Sequence, residues 1–272
     1  MTDTAVPAAS AGTMRDRVPA QSLIEQVLLH QAAARPRTGL ERVVGRDPLE
    51  PEARRWYTGA TGERAVAARL ATLPAGWTVL HSLPVGRHGA DIDHLVIGPG
   101  GVFTVHTKHH VDAGVWVAGR TVLVSGARTA MIASAETEAR RVDRIVAGVL
   151  ADAPAVRPVV AIVGARRLTV RGAPQTVTVL RAESLRRFLK AQPQRLDATE
   201  VDRVVAHLAA PATWQPAREA GPELLMAFGR VSRQVRGAAR IRLAWAFGLV
   251  GLTGAASAAV VLPGLLGLLN GF

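Results

Sequence analysis

Residues 90–110 read ADIDHLVIGPGGVFTVHTKHH, and the rest of the chain arranges around them. Two β-rich runs flank Gly98-Pro99-Gly100-Gly101, a hairpin signal. Let Pro99 and Gly100 be the two turn residues, Pro fixing φ and Gly accepting a positive φ. Then Gly98 faces Gly101, Asp93 faces His106 and Asp91 faces Lys108. Side chains alternate along a strand, so these two carboxylates, the imidazole and the ammonium share a face with Leu95, Ile97, Val102 and Thr104. The opposite face carries Ile92, His94, Val96, Phe103, Val105 and Thr107 and is the expected core side. Opposed Cβ atoms stand about 4.5–5.5 Å apart, so the four polar groups form one cluster. Its plainer meaning is an Asp91–Lys108 salt bridge on a solvated sheet. Its sharper meaning is a metal-assisted phosphodiester site, with carboxylates for a hard cation and Lys for developing charge on phosphate.

Outward from the hairpin, a short amphipathic helix is expected within Pro19 to Arg35, a linker over Arg35 to Glu52, and a helix over Thr58 to Leu73. Trp77 to Leu80 reads as a strand, and Val115 to Val117 with Thr121 to Val124 as a second hairpin. Ala127 to Leu150 reads as one long helix, Pro158 to Val163 and Thr176 to Leu180 as strands, and Ala182 to Lys190 and Ala198 to Ala209 as helices. This order predicts an α/β domain with a central mixed sheet flanked by helices, without the alternation of a doubly wound fold.

The 272 residues hold 33 Lys and Arg against 21 Asp and Glu, a net charge of +12, which favours polyanionic partners such as DNA or RNA or an anionic membrane face. No cysteine is present, which excludes disulfides, zinc–thiolate sites and thiol nucleophiles. One Tyr, five Trp and five Phe argue against binding single strands through a platform of stacked aromatics. Gly98 to Gly101 leads into a strand and lacks the Lys-Ser/Thr of a phosphate loop. His109 and His110 point opposite ways along a strand and are expected at solvent or phosphate, whereas His94 belongs to the core. Glu136, Glu138, Arg140, Arg141 and Arg144 read as a solvated helix face.

The passage from about Thr58 to Leu150 resembles the nuclease-related domain (NERD) family, whose members look like restriction-endonuclease-type nucleases. The matching pieces are Gly62-Glu63, Ala90 to His94, Gly100 to Phe103, and the lysine at Lys108. The resemblance implies a restriction-endonuclease-like domain, Asp93 as metal-binding aspartate, Lys108 as the lysine of a Glu-x-Lys pair, and Glu63 as the first-helix glutamate. Glu63 has a second reading as an acid offsetting the dipole of a first helical turn. His106 stands where the family pattern has Glu. A neutral imidazole brings no charge and suits Zn²⁺, Mn²⁺ or Ni²⁺ better than Mg²⁺. Mg²⁺-dependent activity is therefore expected to be weak or absent, unless another ligand set, drawn from Asp93, Asp91, Glu63 and His106, holds Mg²⁺ or Mn²⁺.

Leu243 to Leu262 gives a largely apolar run, and no charge follows Arg242. At about 1.5 Å per residue it would span roughly 30 Å, a bilayer core. The arginines between Arg230 and Arg242 would lie on the inner side near anionic lipid, with Trp245 as an interfacial anchor. Met1 to Pro19 carries no secretory signal and reads as disordered. The expected organisation is residues 1–52 as disordered or linker with a short helix and 58–209 as the α/β domain, with its motif core at 58–150. Residues 210–242 follow as linker and basic helix, then 243–262 as a transmembrane helix with a tail to 272. The expected setting is the cell membrane, single-pass, with the main domain cytoplasmic. Three functions stay open: a metal-dependent nuclease, a catalytically reduced relative that binds nucleic acid or a protein, and a scaffold at the membrane surface.

Overall fold

The structure is a computed structural model that describes residues 13–85, 91–216 and 221–269, the last by backbone alone from residue 249. The helices are α1 (Gln21–Ala32), α2 (Gly39–Val43), α3 (Pro51–Leu70), α4 (Met131–Ala147), α5 (Leu185–Lys190), α6 (Ala198–Leu208) and α7 (Pro222–Leu269). The strands are β1 (Thr78–Pro84), β2 (Asp91–Gly98), β3 (Gly101–His109), β4 (Gly114–Ala118), β5 (Thr121–Val124), β6 (Ala127–Thr129), β7 (Arg157–Val163), β8 (Arg167–Gly172) and β9 (Thr178–Arg181).

A five-stranded mixed sheet runs β1-β2-β3-β7-β9, antiparallel through β3 and parallel after it. The hairpin has the expected register, from Gly98 opposite Gly101 to His94 opposite Val105. Its positive φ falls on Gly101 (116°), one residue later than expected. Both faces of this sheet are covered. Val96, Phe103, Val105 and Val159 pack under Val66 and Leu70 of α3 and Leu185 and Leu189 of α5. Leu95, Ile97 and Val102 pack under Val142 and Val146 of α4 and Val204 and Leu208 of α6. The face expected to be solvated is thus a second core, and the polar cluster lies at its end.

A second sheet, β6-β5-β4-β8, packs Val115, Val117 and Val122 against Ile132 and Ala135 of α4 and Ile162 of β7. The parallel neighbours β3 and β7 leave the first sheet together and re-form as parallel neighbours β4 and β8 in the second. His110 N–H to Val163 O and Asp112 N–H to Gly164 O bind the two crossing segments. Two elements of this second sheet differ from expectation. Ala127 to Thr129 pairs with β5 as a strand, so α4 starts only at Met131. Strand β8 was not foreseen, because its run RLTVRG has no clear alternation and is only half-covered.

The segment before α3 is also packed. Thr13 Oγ1 and Met14 N–H donate to Ala209 O, and Met14 enters the core, although Met1 to Pro19 was expected to be disordered; residues 1–12 lie outside the described residues. Ile24 and Val27 of α1 are buried against α3 with Ala60 and Phe228. Arg35 to Glu52 holds α2, and α3 begins at Pro51.

The expected transmembrane helix is corrected. Among the described residues no helix is long and apolar enough to cross a membrane. The first part of α7 instead docks on the domain by one side, while its residues from 239 to 248 stay exposed. Phe228, Ser232 and Ala238 are buried, Phe228 meets Tyr57 with ring centroids 5.5 Å apart, and Arg242 donates to Gly45 O at 2.6 Å. Trp245, expected as an interfacial anchor, donates Nε1–H to Val43 O at 2.8 Å. Of the 243–262 run only Leu243 to Gly248 has described side chains; those from residue 249 on lie outside. The single-pass topology, the cell-membrane setting with a cytoplasmic main domain, and the lipid contact near Arg230 to Arg242 have no support once that helix is withdrawn.

Candidate functional site

The polar end of the hairpin is built by close approach of α3. A Cβ on Gly62 would stand 2.6 Å from His109 Cβ, so only glycine lets the helix settle there. His109 fixes the contact, its Nδ1 lying 2.7 Å from Thr58 O. That ring was expected at solvent or phosphate; it is half-buried and serves to join α3 to β3. The next residue, Glu63, is thereby buried in the middle of α3, far from the first turn where it would offset the dipole. Gly62→Ala is expected to lower Tm. Overpacking costs about 1–3 kcal/mol, against about 1 kcal/mol that Ala gains over Gly in a helix. Thermal denaturation checks this, and an unchanged Tm would show that α3 has room to move.

Four of the residues singled out in the sequence come together: Glu63, Asp93, His106 and Lys108 interact electrostatically. Backbone pairing stops one step short of Asp93 and His106. There the Asp93 carboxylate takes over as acceptor, receiving Thr107 N–H at 2.5 Å on Oδ2. Asp91, expected opposite Lys108, is held elsewhere: it pairs with Pro84 of β1, accepts from Ser22 of α1, and lies 3.5 Å from Arg17.

A further carboxylate joins them. His106 Nδ1 lies 3.0 Å from Oε1 and 3.2 Å from Oε2 of Glu138 on α4. The sequence reading placed Glu138 on a solvated face. Its signal was there: α4 buries Ala135, Ala139 and Val142, and Glu138 sits between them at helical spacing.

Charge follows from burial. Burial raises the Glu63 pKa well above the usual carboxylate range, Asp93 and Asp91 add to this, and Lys108 opposes it. Burial also raises Asp93, against the pull of His106 and the Thr107 amide. Burial alone would lower His106, but Asp93 and Glu138 outweigh it and raise the imidazole pKa. The raised imidazole thus favours its charged form between Asp93 and Glu138, where the carboxylates would otherwise meet unopposed.

That arrangement does not fit the divalent ion the resemblance implies. Among the described residues no three of His, Asp and Glu converge closely enough to hold a metal. His106 turns Nδ1 to Glu138, and its buried Nε2 has no partner among the described residues. On the other side of the sheet His94 is fully buried, as expected of a core residue, but it faces a second ring that sequence reasoning missed: His81 Nδ1 lies 2.9 Å from His94 Nδ1.

A mixed sheet between helices, with a helix glutamate, a hairpin aspartate and a lysine gathered at one strand end, defines an α/β protein with a polar cluster at the end of its sheet. Residues 58–163 match the profile of the nuclease-related domain, and this stretch of the chain is such a domain, consistent with a restriction-endonuclease-like ancestry. No curated protein and no solved structure matches the chain.

Proposed function

We propose that this nuclease-related domain binds nucleic acid and cleaves it weakly or not at all with Mg²⁺. The observation that carries the reading is the His106–Glu138 pair beside Asp93, which supplies a positive charge among the carboxylates. An imidazolium cannot ligate a metal, and carboxylates paired with one attract a divalent cation far less than free carboxylates do. The rest of the domain keeps what polyanion binding needs. Lys108 stands half-buried at the cluster, and the chain carries a net charge of +12. Binding through phosphate contacts carries no direct sequence information.

The test uses the full chain with fluorescently labelled DNA and RNA of mixed sequence. Binding is expected at low salt and is expected to fall steeply as salt rises, since each neutralised phosphate releases counterions. Cleavage of the same substrates in Mg²⁺ is expected to stay near background. Salt-insensitive binding, or none at low salt, removes nucleic acid as the partner. Robust Mg²⁺-dependent cleavage that survives Asp93→Ala removes the proposed site. Activity confined to Mn²⁺ or Zn²⁺ and lost in His106→Ala would make the histidine a ligand.

A further inference from the structure

The second sheet has an outer face whose residues enter none of the hydrophobic clusters of the described residues. Its inner side chains Val115, Val117 and Val122 are spent on the core. Directly opposed residues point to the same side of a sheet. Trp116 of β4 lies opposite Leu123 of β5, Leu123 lies opposite Arg128 of β6, and Thr169 of β8 lies beside Trp116 on the other flank. One row across four strands therefore reads Arg128, Leu123, Trp116, Thr169. Arg167 stands two residues before Thr169 and shares its face.

The properties of this row point to a ligand. Trp116 is 37% exposed, and no ring or guanidinium among the described residues stacks on it. Arg128, Arg167 and Arg171 are exposed and form no ion pair among the described residues. The four strands contain no Asp or Glu at all. The acids flanking these strands in sequence are Asp112, in the turn before β4, and Glu136 on α4, which Arg120 holds. A flat apolar ring between arginines, on an acid-free surface, complements a base flanked by phosphates.

We propose that the outer face of this sheet binds a single-stranded polynucleotide, one base stacked on Trp116 and its phosphates held by Arg128 and Arg167. Arg128 starts about 10 Å from Trp116, two strand spacings away. The proposal rests on the nucleic-acid reading above and adds to it a strand type and a place. A duplex keeps its bases stacked inside and offers nothing for Trp116 to cover, so single strands are preferred. Stacking and phosphate contact use features that DNA and RNA share, and one ring engages one base, which gives little sequence preference.

The experiment measures anisotropy of a labelled oligodeoxythymidylate of about twelve residues, and of a duplex of equal length, with the full chain across a salt series. The wild type is expected to prefer the single strand. Trp116→Ala should weaken single-strand binding about tenfold and leave the duplex unchanged, while Trp116→Phe keeps most of the affinity. Arg128→Gln and Arg167→Gln should each reduce the salt slope by about one. All three sites are on the surface, and circular dichroism confirms that each of the four variants folds. Single-strand binding that is indifferent to Trp116→Ala and to both arginine changes overturns this surface while leaving nucleic-acid binding intact. Loss of all binding by the wild type at low salt overturns both. A dimer that Trp116→Ala dissociates would show a second copy seated on the face and would also overturn the proposal.

Discussion

His106→Glu is expected to unsettle the metal-free protein and to make it answer to Mg²⁺. The substitution removes the cation between Asp93 and Glu138 and adds a carboxylate to a cluster that already holds Glu63. Breaking a buried ion pair and leaving its partner uncompensated costs about 3–5 kcal/mol. Thermal unfolding in chelator should therefore show a marked fall in Tm. A divalent cation then replaces the lost positive charge, because the new carboxylate and Asp93 offer it the hard oxygens Mg²⁺ prefers. Added Mg²⁺ should restore most of the Tm of the variant and leave the wild type unmoved, by mass action on the folded state. Mg²⁺-dependent cleavage should rise in the variant, and Asp93→Ala in that background should abolish the rise. An unchanged Tm in chelator, or a variant blind to Mg²⁺, would show that His106 does not stand in for a cation.

The second large effect is acid sensitivity from the His81–His94 pair. Burial pushes His81 down to about 4, and burial with the charge of His81 pushes His94 well below its ordinary value. Both rings are therefore neutral when folded, one Nδ1 donating to the other across 2.9 Å. A lowered folded pKa means the unfolded chain takes up protons first. The stabilisation is whole above about pH 6.5 and erodes as pH falls toward 4. From 6.5 to about 4 the His81 ring alone accounts for about 3 kcal/mol. Glu63 and Asp93, whose pKa values are raised, act in the opposite sense, taking up protons in the folded state before the unfolded one. His106, also raised, takes up its proton in the folded state before the unfolded one, and it is shared by the two proteins whose difference is taken. The difference between wild type and His81→Leu/His94→Leu therefore isolates the two rings. Urea unfolding should give that difference growing by about 3 kcal/mol or more between pH 6.5 and 4. A constant difference would mean the rings are not held neutral by burial.

Much of the fold was legible because its signals are local. The Gly98 to Gly101 turn set the hairpin register, since a two-residue connection leaves one pairing and period-two side chains follow from it. The apolar run Pro158 to Val163 could only be a buried strand. The short β6 was read as helix because three residues carry no period of their own. Strand β8 escaped because it is defined by β4, its parallel neighbour, and not by its own pattern. The apolar run from Leu243 suggested a bilayer because hydropathy does not register that the helix upstream of it packs on α1 and α3, or that Trp245 bonds Val43 O of α2.

The sequence by itself determined the chemistry at hand: Asp93, His106 and Lys108 near one strand end, Glu63 on the helix before them, and the absence of thiols. Position alone, however, sets no charge state. Tertiary structure decided that α3 sinks onto His109 through Gly62 and buries Glu63, that Asp91 is tied to Arg17 and Ser22, and that Glu138 reaches His106 from α4. Each depends on contacts between residues far apart in the chain, where burial and neighbouring charge choose which groups ionise. A histidine that reads in sequence as a missing carboxylate becomes, once packed between two carboxylates, the cation of the site.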